Sequence, residues 1–436
     1  MELLQIAALL VVLSAVLGWV NHVYMGLPHA IGLLIMGLAG SLCLIAADAA
    51  VPGLGLSTRL HAAVAQVDFF ETVMNGMLSF LLFAAALHVD ARALQSQKAS
   101  VILMATVSVL ISTATVGFGL WWIADYAGFY IPLPWALVFG ALISPTDPVA
   151  VLSVLKTVKV PKSLEAKIAG ESLFNDGVGV VAFTVLLAVA LASYGIYPAP
   201  GQHEVVTPGG GMDFLVVAQV FAIEVMGAII LGVAAGWGAL SMIRRANDPA
   251  IRTLISLALV LGTYVLAASL HLSGPIAVVI PGLIIGDWGA NNAISQKAKY
   301  QLFPFWTMID EILNSILFLL IGLEVLVIRF ELSHVAAAAL CIPLVLAARF
   351  VSVAIPISAL RALGNKATEG AIRIMTWGGV RGGISVALAL SLPETAHKAT
   401  ILTATYVVVV FSIVVQGLTI GPMVRTVRGC GRDCED

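Results

Sequence analysis

The chain has 436 residues, of which 60% are hydrophobic and 11% charged, with a mean hydropathy of +1.03 and a formal net charge of −2. That balance lies far from a soluble domain's. No basic tail or aromatic-basic interleaving points to nucleic acid, so the chain reads as an all-α polytopic membrane protein.

The first apolar stretch follows Met1-Glu2 with no positively charged leader, so it reads as a spanning helix rather than a cleaved signal. At about 20 apolar residues per crossing, thirteen spans are predicted. Their limits are 3–21, 28–47, 69–89, 99–124, 132–155, 163–195, 213–243, 250–270, 274–290, 306–328, 333–360, 369–392 and 398–424. Segments 55–68 and 291–305 are too polar to span and read as interfacial helices or loops. Lys and Arg test the count. Seventeen of the 22 fall after odd-numbered spans, while only Arg59, Arg329 and Lys398 fall on the opposite side, and Arg349 and Arg381 lie within spans. This split predicts an N-terminus outside, a C-terminus in the cytoplasm and a short tail over 425–436.

Span 5 contains Ser144-Pro145-Thr146-Asp147-Pro148. The prolines lack backbone donors and bias Ser144 and Asp147 away from helical dihedrals. The helix is therefore expected to open. The carbonyls of Ala141 and Ser144 are then expected to lose their partners beside the Asp147 carboxylate and the Ser144 and Thr146 hydroxyls. A carboxylate at membrane depth costs about 2.5–3.5 kcal/mol on insertion scales. Irregular backbone is tolerated there only against protein or a water-filled cavity, and it marks ion sites in secondary transporters. In span 6, Glu171, Ser172, Asn175 and Asp176 share one helical stripe. It is expected to face span 5, with Asp147 and Asp176 at similar depth near the membrane centre. The alternative for Ser172 and Asn175 is interhelical hydrogen-bonding glue.

Span 12 carries Thr376-Trp377-Gly378-Gly379-Val380-Arg381-Gly382-Gly383. Its four glycines weaken the helix and permit close backbone approach. A second unwound segment is expected at Gly378 and Gly379, antiparallel to the first, as inverted repeats require; the alternative is a glycine-rich packing face. Arg381 is expected to balance oriented helix ends and to offset the acids. Arg349 in span 11 lies at a depth comparable to Glu171 and is expected to pair with it, leaving Asp147 and Asp176 as the titrating acids. Glu71, Asp310, Glu311 and Glu324 read as capping or interfacial pairs, whereas Glu224 has no partner assignable from sequence. Cys43 and Cys341 read as packing residues, and Cys430 with Cys434 as a weak disulfide or metal pair.

These segments resemble those of the NhaP/NHE-type sodium/proton antiporters, as do Ile309-Asp310-Glu311-Ile312-Leu313-Asn314, Ile321-Gly322-Leu323-Glu324 and Trp377-Gly378-Gly379-Val380-Arg381-Gly382. The likeness covers nearly the whole chain. It implies an NhaA-like fold of thirteen helices, with inverted repeats and spans 5 and 12 as crossed discontinuous helices. It implies a homodimer, with a core domain over 99–195 and 333–424 moving against a dimerisation domain over 1–89 and 213–328. It implies Na+ held by Asp147, Asp176, Ser172 and the Thr146 carbonyl, Asn175 holding the unwound segment, and Glu171 paired with Arg349. The Asn-Asp pair resembles the electroneutral branch, which exchanges one cation for one proton. Some microbial relatives carry a glutamate where this chain has Ala84, so any ligand role of that residue is absent here, and the short tail lacks the regulatory region of animal exchangers.

The expected mechanism is competition between a cation and a proton for Asp176 and Asp147, with only the loaded forms moving. Hard oxygen ligands favour alkali cations, Na+ or Li+ with K+ as the alternative substrate, and no cofactor is expected. The partners are the alkali cation, the proton, membrane lipid and a second copy of the chain, in a bacterial inner membrane. Two other classes fit less well. An intramembrane diaspartyl protease would carry Gly-x-Gly-Asp, absent around either acid, and a cation channel would not need titratable carboxylates at mid-membrane.

Overall fold

Peptide groups in lipid find no water, so an apolar chain must close its backbone hydrogen bonds within helices. The computed structural model describes residues 3–51, 68–127, 130–149, 151–152, 155, 162–194, 214–286, 296–328, 332–364 and 370–432, and every regular element among them is helical. The first are α1 (Leu3–Val20), α2 (His29–Ala50), α3 (Leu78–His88), α4 (Ala91–Ser96), α5 (Lys98–Ala105), α6 (Val107–Ala127), α7 (Leu133–Ile143) and α8 (Lys162–Ala192). There follow α9 (Phe214–Arg245), α10 (Pro249–Ser269), α11 (Gly274–Leu283), α12 (Gln296–Leu323) and α13 (Leu332–Ala362). The last four are α14 (Ala371–Trp377), α15 (Gly383–Leu390), α16 (Lys398–Phe411) and α17 (Gly417–Arg432). Wider π turns extend α1 over Asn21–Met25, precede α3 over Glu71–Met77 and join α16 to α17 over Ser412–Gln416.

Nine stretches among the described residues are long and apolar enough to cross a membrane. Their outer faces are apolar as well. Trp19 of α1, Ile230 of α9, and Leu254 and Val265 of α10 all lie more than half exposed, which suits a hydrocarbon solvent rather than water. The molecule is an integral membrane protein. Local signals set several helix ends. Asp248 caps α10 by accepting from the amides of Ala250 at 2.7 Å and Ile251 at 3.2 Å, with Pro249 in the first turn, where its missing donor costs nothing.

Two sets of packed helices position the site. In one, α7 lies against α6 and α8, while α13 packs on α6 and α16. In the other, α12 packs on α2 and α3, and α11 packs on α3, α9 and α10. The sets meet where α8 touches α11 and where α15 touches α12.

Several expectations change. Residues 296–305 are the first turns of α12, because the apolar side chains of Leu302 and Trp306 bury fully and carry the helix through its polar start. Cys43 is exposed on α2 rather than packed, while Cys341 is buried. Ala84 is fully buried on α3 in a cluster with Phe83, Leu87 and Trp306. Positions 52–67, 153–154, 156–161, 195–213, 287–295 and Cys434 lie outside the described residues, and with them most of segment 55–68 and the Cys430–Cys434 pairing.

Candidate ion-binding site

The helix of α7 ends at Ile143, and residues 145–148 leave the helical path before helix resumes at Val149. The sequence suggested that the carbonyls here would be left open, but several are taken. The amide of Ser144 tightens the last turn and donates to the Ala141 carbonyl at 3.3 Å. The Ser144 and Pro145 carbonyls accept from Nη1 of Arg381, the latter at 3.0 Å. Ser144 also turns its hydroxyl back, donating to the Gly140 carbonyl at 2.6 Å, so it points away from the acids.

The second interruption runs from Gly378 to Gly382, between α14 and α15. It touches the first directly. The amide of Asp147 donates to the Val380 carbonyl at 2.7 Å, so the second break supplies a backbone partner that the first's lost helix would have given. Gly382 faces Asp147 so closely that a β-carbon there would overlap the carboxylate, and Gly379 sits in the same way against the Arg349 side chain. These close approaches are why glycine is needed at both places.

From α8, Asn175 holds the opened strand at both ends of its amide. Its Nδ2 donates to the Thr146 hydroxyl at 2.8 Å, and its Oδ1 accepts from the Thr146 amide at 3.4 Å. The Ser172 hydroxyl lies 3.1 Å from that of Thr146. One turn back, Glu171 receives Nη1 and Nη2 of Arg349, the second at 2.9 Å, while Nε of Arg349 donates to the Met375 carbonyl at 3.2 Å. This bidentate pair is buried at both partners and consumes one acid and one cation.

The two remaining acids differ. Asp147 is half-buried and accepts from the Val149 amide at 2.8 Å. Asp176 is 6% exposed, one position from Asn175 on the same helix, and accepts no hydrogen bond among the described residues. A buried carboxylate without donors must be neutralised by a proton or by a cation. The charge of Asp147 acts on it, and the Ser172 and Thr146 hydroxyls belong to the same cluster of oxygens, a donor set for hard cations. Arg381 is 1% exposed, and its Nε and Nη2 have no partner among the described residues.

Two residues escape a reading of the sequence. Ser412 accepts from the Arg381 amide at 2.9 Å and Gln416 donates to the Trp377 carbonyl at 2.9 Å, whereas Gly382, one of the four glycines expected to permit close backbone approach, flanks Asp147. The π turn that presents Ser412 and Gln416 leaves no mark in an apolar helix pattern. The acids outside the site are varied. Glu71 accepts from Asn75 at 3.2 Å and Asp310 from Asn314 at 3.0 Å, while Glu224 is buried on α9. Glu324, read as a cap or an interfacial pair, is buried near Tyr406, whose hydroxyl donates to the Ile321 carbonyl at 2.8 Å.

The sequence pattern of the family described as "sodium/hydrogen exchanger, transmembrane" matches residues 8–426. The chain is 40% identical over 434 residues to the Na(+)/H(+) antiporter NhaP of Pseudomonas aeruginosa, covering 98% of this chain and 97% of that one. It is 34% identical over 364 residues to the Na(+)/H(+) antiporter NhaH of Halobacillus dabanensis, covering 83% and 85%. Among solved structures it resembles the sodium proton antiporter MjNhaP1 of Methanocaldococcus jannaschii at pH 8, with a TM-score of 0.70 at 20% identity over 97% of this chain and 98% of that one.

Proposed function

We propose, since the chain belongs to the sodium/hydrogen exchanger family, that it is a secondary antiporter exchanging Na+ for H+ across a bacterial inner membrane. The observation that carries this reading is Asp176, a buried carboxylate with no internal donor among the described residues, set beside Asp147 at the meeting of two interrupted helices. A proton neutralises it as one covalent O–H, and Na+ neutralises it through oxygens of Asp147, Asp176, Ser172 and Thr146. The two ligands exclude each other. Either loaded form presents the same net charge, so exchange is electroneutral, one cation for one proton. The empty form leaves a charge unpaired in a low-dielectric setting and stays in place.

Asn175 supports this stoichiometry, because its amide holds Thr146 without adding a second titrating acid beside Asp176. Glu171 and Arg349 neutralise one another and brace α8 against α13. Arg381 collects the Ser144 and Pro145 carbonyls, the negative end of α7's dipole, and offsets the acids without touching them. Pro145 and Pro148 keep the first segment unwound, and Gly378 and Gly379 the second. The chemistry needs no cofactor.

The architecture that goes with this mechanism has thirteen spans in inverted repeats, with spans 5 and 12 crossing at the site. The N-terminus lies outside and the C-terminus inside. A core over 99–195 and 333–424 moves against a dimerisation domain over 1–89 and 213–328 in a homodimer, exposing the site to each side in turn.

The test is proton movement in proteoliposomes under an imposed pH gradient, recorded on adding Na+, Li+ or K+ to the native chain and to Asp176→Asn. Cation-driven flux in the native chain alone, unchanged when the membrane potential is clamped at zero, is the expected result; Li+ is expected to substitute for Na+. Flux with K+ and not Na+ would reassign the substrate. A folded native protein with no flux for any alkali cation would sink the antiport reading.

A further inference from the structure

A second group of unpartnered polar atoms lies at the opposite end of α8's buried stripe. Lys167 is 6% exposed, and no hydrogen bond or ion pair reaches it among the described residues. The nearby Arg361 adds charge of the same sign. A lysine with its side chain largely buried, a cationic neighbour and no anion beside it is costly in isolation. It lines a cavity of about 350 Å³, walled by the turn joining α4 to α5, by Ile357 and Leu360 of α13 and by Met375 of α14.

The rest of the wall has matching chemistry. α5 begins at Lys98, and Gln97 before it provides no side-chain cap. The amides of Lys98, Ala99 and Ser100 open its first turn, where an α-helix has donors without intrahelical partners. All three residues line the cavity, together with Gln95 and Ser96. The position of α5 is fixed by a close contact, for a β-carbon at Gly170, one turn beyond Lys167, would overlap Leu94 and press on Val101. Open amides, a helix dipole and one buried and one exposed lysine therefore converge on one partly open cavity, with Arg361 adding positive charge near Lys167 and no carboxylate among the lining residues. An anion binds such a place by charge-assisted hydrogen bonds.

We infer that this cavity is a binding site for a phosphate ester anion, held by Lys167, Lys98 and the first amides of α5. A lone phosphate would leave much of 350 Å³ unfilled, and the apolar wall of Ile357, Leu360 and Met375 suits the first acyl methylenes of a lipid, so an anionic glycerophospholipid fits the space better. Basic pockets between membrane helices bind the headgroups of such lipids. The site is separate from the ion site but joined to it, because Met375 lines the cavity and its carbonyl accepts from Arg349, the partner of Glu171.

The experiment is thermal unfolding of the purified full chain in a neutral detergent. One arm titrates inorganic phosphate against chloride at constant ionic strength; the other titrates phosphatidylglycerol against phosphatidylcholine. Phosphatidylglycerol is expected to raise the native midpoint by about 3 °C or more. That shift is expected to disappear in Lys167→Gln and to fall by at least about half in Lys98→Gln, an exposed position whose variant folds independently of the buried one. Arg244→Gln, at the exposed end of α9, keeps the full shift. A response to phosphatidylglycerol alone identifies a lipid headgroup, and a response to both identifies a site that a free phosphate also fills. No shift with either, or a shift that survives both lysine substitutions, overturns the proposal.

Discussion

The interruption at Ser144–Pro148 is enforced by two prolines, whereas the one at Gly378–Gly382 is only permitted by glycines. The first would open in any surroundings, because its donors are missing from the covalent structure. The second stays open because other elements hold it: Ser412 takes the Arg381 amide, Gln416 takes the Trp377 carbonyl, and Arg349 fills the space beside Gly379. The charges divide the same way. The proline break carries the acid, and the glycine break carries the arginine that gathers the first break's carbonyls. An ion site thus combines one segment that cannot be helical with one that is kept from being helical.

Substitutions around the glycine break should therefore mainly weaken the fold, while those at its contact with the acid should mainly affect transport. The largest effect is expected for Arg349→Leu, which strands Glu171 as a buried charge. It should cost about 3–5 kcal/mol, seen as a large fall in the unfolding midpoint. Gly382→Ala comes next. Its φ of −118° and ψ of −164° suit alanine, so only the overlap with Asp147 matters. Exchange should fall about a hundredfold, as for a displacement near 1 Å at a reacting group, with a smaller loss of stability than in Arg349→Leu, about 1–3 kcal/mol for the overlap. Equal losses of stability and transport in that variant would contradict the division.

Asn175→Ala removes the donor and acceptor that hold Thr146 and should cost about 1–3 kcal/mol, read in the same unfolding assay, together with weaker apparent Na+ affinity. Ser412→Ala is expected to be the mildest, about 0.5–1.5 kcal/mol for one hydrogen bond. A Ser412 variant as damaging as Arg349→Leu would mean that the glycine break hangs on that single bond.

Much of this site is legible in the amino-acid sequence. Prolines and glycines inside apolar runs carry their backbone consequences locally, so both interruptions can be read at Pro145, Pro148, Gly378 and Gly379. The stripe of Glu171, Ser172, Asn175 and Asp176 follows from helical periodicity, and depth alone matches Arg349 to Glu171. What stays hidden depends on partners far apart in sequence or on local tightening of the backbone. The carbonyls that Arg381 collects lie more than 200 positions away, and the Ser144 amide takes the Ala141 carbonyl only because the last turn of α7 tightens. Ser412 and Gln416 act from a π turn, whose wider winding shifts which side chains face inward and is invisible in a uniformly apolar stretch. That the helix over 296–305 runs on unbroken into the apolar part of α12 is hidden for a different reason: Lys297 and Lys299 disguise a segment whose remaining face packs around Trp306.

The central claim, that Na+ and a proton compete for Asp176, is tested most directly by the apparent Na+ affinity of exchange measured from pH 8.5 to pH 6. Competition predicts that the half-saturating Na+ concentration rises as pH falls, approaching about tenfold per pH unit at the acid end, with the maximal rate at saturating Na+ little changed. A half-saturating concentration that stays constant across that range would contradict the account, because the two ions would then bind without excluding each other.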